Sequence, residues 1–221
     1  MRLSRYGSAL FALLTTALLL GAAAPAAATA TTVRGGDRVY SAAATCVVAF
    51  NARDGGAQRY GLLPGGCGGP GTTWYADPGL TVPVGTTSAS SFPGGGWSLL
   101  RYAPTVTAPG EISGGGVPQP IVSAAPPAVG GRVCLAGPTT GLRCGTVTAV
   151  NQTINVGGAV YTGVFRTDLC VEPGTGPGAP AFSGSTGLGM LIGGSGNCAT
   201  GGVSYYLPLV QALSAFGLTL A

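Results

Sequence analysis

Hydrophobic positions along this chain come in short runs rather than long ones. Stretches rich in Val, Leu, Ile, Thr, Tyr and Trp are separated by clusters of Gly, Pro, Ser and Asn. The runs are Cys46–Phe50, Arg59–Leu63, Thr72–Tyr75, Thr81–Thr87, Trp97–Tyr102, Arg132–Leu135, Thr146–Val156, Ala159–Thr167, Gly187–Ile192 and Val203–Leu207. β-Branched and aromatic residues pack well on a pleated surface, and turn residues at this spacing predict an all-β barrel or sandwich. Around residues 104–131 the pattern lapses into Pro109-Gly110, Gly114-Gly115-Gly116 and Pro126-Pro127, which predicts a connection between two β units. The C-terminus has another period. Leu207, Val210, Leu213 and Phe216 recur every three residues, predicting one short helix with Pro208 in its first turn and an apolar stripe used for core packing.

The N-terminus carries Arg2 and Arg5, an apolar run from Ala9 to Leu20, and a small-residue stretch ending at Ala30. This is the pattern of a secretory leader over residues 1–30, cleaved after Ala28 or Ala30. The run falls short of the ~20 residues that span a bilayer. A secreted, extracellular chain without a membrane partner is expected.

Composition then narrows the picture. Glycine is abundant, 41 of 221 residues, but enough Val, Leu, Tyr and Thr accompany it for a folded core. The roughly 190 mature residues suffice for one large core or two small ones. Charged residues make up only 7%. After the leader eight Arg face six acidic residues, scattered along the chain, which is no footprint for nucleic acid. Six cysteines in an exported chain predict three disulfides, with fifteen pairings open. The simplest is sequential, Cys46–Cys67, Cys134–Cys144 and Cys170–Cys198, each closing a loop of roughly 10 to 30 residues and stabilising by about 2–4 kcal/mol. Paired cysteines offer no thiolate.

Candidate chemistry is limited by what is missing. The chain has no histidine and no lysine. A serine or threonine hydroxyl is a weak nucleophile without a base to take its proton, a Ser–Lys dyad needs lysine, and a zinc site needs histidine or free cysteine. No metal site and no cofactor is expected. Asp37, Asp54, Asp77, Glu111, Asp168 and Glu172 form no close pair in sequence and read as turn caps or solvated groups. Thr31, exposed by cleavage after Ala30, reads as a free terminus rather than a nucleophile. Asn151-Gln152-Thr153 matches a glycosylation acceptor but reads as a hairpin turn, and the glycine-rich stretch 65–71 reads as a barrel loop rather than an anion cradle.

Several local signatures occur in one order: Val33-Arg34-Gly35-Gly36-Asp37, Cys46 with Phe50, Gly85-Thr86-Thr87-Ser88 before Ser91-Phe92-Pro93, Arg101-Tyr102, Arg166-Thr167, Cys170 with Glu172-Pro173-Gly174, and Gly193-Gly194-Ser195-Gly196-Asn197-Cys198. Together they resemble the streptogrisin and alpha-lytic branch of the chymotrypsin-like serine proteases, over roughly residues 33–221. The resemblance implies two six-stranded antiparallel β-barrels with a short C-terminal helix, and it selects the sequential disulfide pairing. It places an N-terminal barrel at 31–110, a connecting segment at 111–131 and a C-terminal barrel with the helix at 132–221.

Laid over the chain, the family's catalytic motifs meet other residues. Gly66, in Pro64-Gly65-Gly66-Cys67, stands where the resemblance puts the histidine, and Gly96 where it puts the aspartate. Thr175, Gly176 and Pro177 replace the nucleophile motif in a turn one residue longer, and Ile192 takes the place of a serine that would bond the aspartate. Pro177 has no N–H to offer an oxyanion hole. Losing a complete triad lowers kcat by about 10⁶, or about 8–9 kcal/mol. The resemblance therefore implies a homologue that lacks the triad and is inactive. It also implies a cleft that still holds peptide or protein ligands, with Gly193 and Gly194 offering a strand edge and Glu172, Pro173, Gly174, Val203 and Ser204 walling a small apolar pocket. The family usually carries a long pro-segment, whereas Val33-Arg34-Gly35-Gly36 follows the leader directly, so nothing to activate is expected. A monomer is expected, and serine-type endopeptidase activity is the alternative that family membership implies.

Overall fold

The computed structural model describes residues 30–92, 96–113, 117–137 and 141–221. The apolar run from Ala9 to Leu20 and Ala28 lie outside them, as do residues 93–95 and 114–116.

Two barrels form around strands such as Arg59–Pro64 and Trp97–Tyr102, whose apolar residues let both faces be buried. The first is the run Thr45–Val47, Asn51–Arg53, Arg59–Pro64, Trp97–Tyr102, Pro83–Ser90, Thr73–Tyr75 and Arg38–Tyr40, which returns to Thr45–Val47. It closes because Val48–Phe50 carries the chain from one sheet edge to the other. Ala49 N–H donates to Leu62 O (2.7 Å) and Leu62 N–H donates to Phe50 O (2.9 Å). Residues 45–53 thus act as one strand, giving six around the barrel. The second barrel is also six-stranded: Thr186–Asn197, Pro180–Ser183, Arg132–Gly137, Gly141–Val156, Ala159–Thr167 and Gly201–Pro208, the last pairing with the first. The all-β, two-barrel expectation holds. Two short segments are added: Ser123–Ala124 runs parallel to Thr186–Gly187, and Thr219–Leu220 pairs with Ala52 and Arg53. The chain's end therefore docks on the first barrel.

Neighbouring apolar residues on one strand serve different cores, since successive side chains point to opposite faces. Leu63, Leu100, Trp74 and Val84 fill the first barrel, and Phe165, Leu191, Tyr206 and Val147 fill the second. Their sequence neighbours Leu62, Leu99, Val164, Ile192 and Leu207 pack with Phe50, Trp97 and Met190 into a third core between the barrels. The helix Leu209–Phe216 adds Leu209 and Ala212 to it.

The disulfides are Cys46–Cys67, Cys134–Cys144 and Cys170–Cys198, the sequential pairing. Pro208 differs from expectation. It ends the strand with ψ 130°, so it precedes the helix rather than sitting in its first turn.

Candidate functional site

The turn after Cys170 is built by glycines. Gly178 takes φ 102° and lies so close to the Val47 carbonyl that a Cβ would strike it, which fastens the turn to the first barrel. Between Thr175 and Ala179 three backbone donors are already engaged. Thr175 N–H donates to Glu172 O (3.0 Å), Gly178 N–H to Leu191 O (2.8 Å) and Ala179 N–H to Gly176 O (3.3 Å). Pro177 has none. An oxyanion hole needs converging free donors, and among residues 175–179 only Gly176 N–H has no backbone acceptor among the described residues.

Across from the turn, Gly65–Cys67 forms one 3₁₀ turn. Gly65 N–H donates to Gly96 O (2.7 Å), and Ser98 Oγ–H donates to Gly65 O (3.3 Å). Folding thus brings Gly66 and Gly96, which stand where the resemblance puts the histidine and the aspartate, onto adjoining backbone. Gly66, Pro177 and Ile192 line one cavity of about 270 Å³, completed by Ala44, Pro64, Val156, Tyr161 and the Cys46–Cys67 bridge. Gly96 lies behind Tyr161: a Cβ there would sit 2.9 Å from Tyr161 Cε1 and 2.5 Å from Leu207 Cδ1.

Tyr161 was not singled out in the sequence. It lies near the tip of the hairpin Gly141–Val156 and Ala159–Thr167, whose register shifts three times between Val147 and Ile154. Bulges bend and twist a strand, and here they coincide with Val156 and Tyr161 meeting at the first barrel. The sequence signs are faint: Gly163 at φ 70° and Asn151 at φ 54°. Desolvation raises the Tyr161 phenol above its ordinary value, and its hydroxyl has no hydrogen-bond partner among the described residues.

A second groove of about 410 Å³ lies beside the turn, lined by Glu172, Pro173, Gly174, Gly194, Ser195 and Cys198 among others. Glu172 forms an ion pair with Arg143, and Arg38 Nη2 donates to Gly174 O (2.8 Å). Both arginines brace the wall. Ser204, expected in this wall, is elsewhere. It is buried in the second barrel, bonded to Thr167 Oγ1 (2.6 Å) and donating to the Tyr206 hydroxyl (2.8 Å). Alternation along Gly201–Pro208 turns it inward, and Val203 does not line the groove either. Gly193–Ser195 pairs with Tyr205, Ser204 and Val203 on one side. Its other edge, past Leu191, has no strand partner among the described residues.

Of the remaining acidic side chains, Asp37, Asp54 and Asp77 hold turns, Glu111 pairs with Arg34, and Asp168 ties neighbouring strands. Asp54 accepts from Gly56 and Gln58 N–H, Asp77 from Thr81 and Val82 N–H, and Asp168 from Thr146 N–H.

The chain is 39% identical over 175 residues to serine protease 2 of Streptomyces fradiae, covering 78% of this chain and all of that protein. It belongs to the streptogrisin-type, chymotrypsin-like serine proteases. Streptogrisin-A of Streptomyces griseus is 37% identical over 191 residues, and this chain spans 61% of its length. The alpha-lytic protease homolog N4 superposes with a TM-score of 0.79 at 48% identity, over 86% of this chain and all of that one. Protease A of Thermobifida fusca gives 0.76 at 32% identity over 86% and 99%. No family model matches the sequence.

Proposed function

We propose that this member of the streptogrisin-type proteases is secreted, does not cut peptides, and holds them along the open edge of its second barrel. One observation carries the reading. Gly66, Pro177 and Ile192, three of the positions where the resemblance puts catalytic groups, line a cavity whose only titratable lining group among the described residues is Tyr161, with Gly96 behind that ring. A general base works best with a pKa near the operating pH, and a phenol pushed above 10 takes no proton at neutrality. The chain has no histidine to do it instead. Engaged donors in the 175–179 turn argue against an oxyanion site as well. Secretion is supported by the leader pattern and three disulfides, which persist in oxidising compartments.

Peptide binding is supported by the uncovered edge at Gly193–Gly194, where an added strand finds backbone partners, beside the groove walled by Glu172, Pro173 and Gly174. A monomer acting on peptide or protein ligands, without nucleic acid or membrane, fits the scattered charge. Incubation of the purified chain with casein and with a fluorophosphonate probe is expected to give neither cleavage nor labelling. Labelling that disappears on mutating a single serine overturns the reading in favour of a serine endopeptidase.

A further inference from the structure

A third cavity sits where the two barrels and their connection meet, and it shares no residue with the one around Tyr161. The first barrel supplies Arg38 and Val47, the connection supplies Ser113, and the second barrel supplies Ala136 and the turn at Thr175 and Gly176. Its volume of about 70 Å³ is that of a few waters, which suits a small ion rather than a peptide. Arg38 is its one charged side chain, and no carboxylate lines it. The guanidinium is fixed through Nη2, which donates to Gly174 O (2.8 Å). Its other four N–H groups have no acceptor among the described residues, whereas Arg34 and Arg143 are paired with Glu111 and Glu172. Asp37, next in sequence, accepts from Arg34 N–H instead (2.7 Å). The hydroxyls of Ser113 and Thr175 have no hydrogen-bond partner among the described residues, and their backbones are held, Ser113 N–H donating to Gly35 O (2.7 Å) and Thr175 N–H to Glu172 O (3.0 Å). A fixed cation and two hydroxyls thus border a small space with nothing in it to accept their protons.

We propose that this cavity binds a free tetrahedral oxyanion, inorganic phosphate or sulfate, held by the Arg38 guanidinium and the hydroxyls of Ser113 and Thr175. The planar fork of arginine matches such an ion, and hydrogen bonds to a charged acceptor are about twice as strong as neutral ones. A bound ion joins the first barrel, the connection and the second barrel at one point. It also steadies Gly174 and Thr175, which line the groove beside Glu172 as well. The inference stands apart from the peptide-binding reading and from the missing catalytic groups, since it needs neither.

Titration and scanning calorimetry of the disulfide-bonded chain, with phosphate exchanged for chloride at constant ionic strength, test it. Binding is expected to saturate with a Kd of about 1 mM or below, and at ten times that concentration Tm is expected to rise by about 3–6 °C. Arg38→Gln is expected to lose the saturable response, and Arg38→Lys, a point charge without the fork, to weaken binding about ten-fold. Ser113→Ala, expected to weaken it by about the same factor, carries the test if Arg38→Gln does not fold. In nitrogen-15 spectra the Gly174 and Gly176 amides are expected to move with the same Kd. A Tm that climbs without saturating, or climbs equally in a folded Arg38→Gln chain, reflects general exclusion of phosphate from protein surface and overturns the site. Acetate binding more tightly than phosphate overturns it too, as do shifts centred on Arg53 and Arg59, the exposed pair directly opposite each other in the first barrel.

Discussion

Gly66 and Gly96 look alike in the sequence but stand in opposite physical situations. Gly66 has ordinary backbone angles and open space where a side chain would go, whereas Gly96 has φ 75° and lies against Leu207 and Tyr161. A left-handed backbone costs about 1–2 kcal/mol for a residue with a Cβ, and overpacking adds about 1–3 kcal/mol. Gly66→His is therefore expected to fold with a Tm within about 2 °C of the parent, and Gly96→Asp to lose roughly 5–15 °C, as scanning calorimetry would read. Casein stays intact with either variant, since a base without an orienting acid and a nucleophile has nothing to activate. An unaltered Tm in Gly96→Asp would mean that Tyr161 and Leu207 move aside freely. That histidine is missing is plain from the residues, but the occupation of the neighbouring space by Tyr161 is not.

At the scale of elements, all ten apolar runs became strands, and the differences lie at their ends. Thr81–Thr87 begins at Pro83 because the Asp77 carboxylate holds the N–H groups of Thr81 and Val82 in a turn. Gly187–Ile192 extends to Asn197 because Gly193–Gly196 pairs with residues 202–205, a partner that glycine-rich sequence does not announce. Arg38–Tyr40 and Pro180–Ser183 went unread, being three and four residues long with no alternation to see. The helix end was legible in kind. Gly217 takes φ 63°, donates to Ser214 O, and is followed by Leu218 N–H donating to Leu213 O. Gly217→Ala is expected to cost about 1 kcal/mol, seen as a Tm lowered by about 2–4 °C with the native far-UV spectrum kept. No change would place the strain elsewhere.

The whole molecule's response to pH follows from which groups its cores enclose. With no histidine and every described cysteine bonded, no side chain of ordinary pKa titrates between pH 5 and 8. Stability should be flat there. Above it, burial in the second barrel pushes the Tyr206 phenol up to about 12, and burial in the first raises Tyr102 well above 10, with Asp37 adding to it. In the unfolded chain both ionise near pH 10. Their folded pKa values are raised, so the stability they contribute is complete below pH 10 and is lost as pH climbs through 12. Urea midpoints should fall steeply over that window, and Tyr206→Phe should blunt the fall while lowering the midpoint at pH 7 through loss of the Ser204 bond. A midpoint level to pH 12 contradicts it. The sequence by itself determined the β class, because strand-length apolar runs broken by glycine and proline allow little else, and it determined the missing base, because composition alone settles that no histidine is there. Which member of each apolar pair, Leu62 or Leu63, Leu191 or Ile192, fills a barrel and which joins the core between barrels was decided only by tertiary structure. So was the meeting of Gly66, Gly96, Pro177 and Ile192 around Tyr161. A two-residue period says that strand faces differ, but it carries no information about what a distant strand will bring against either one.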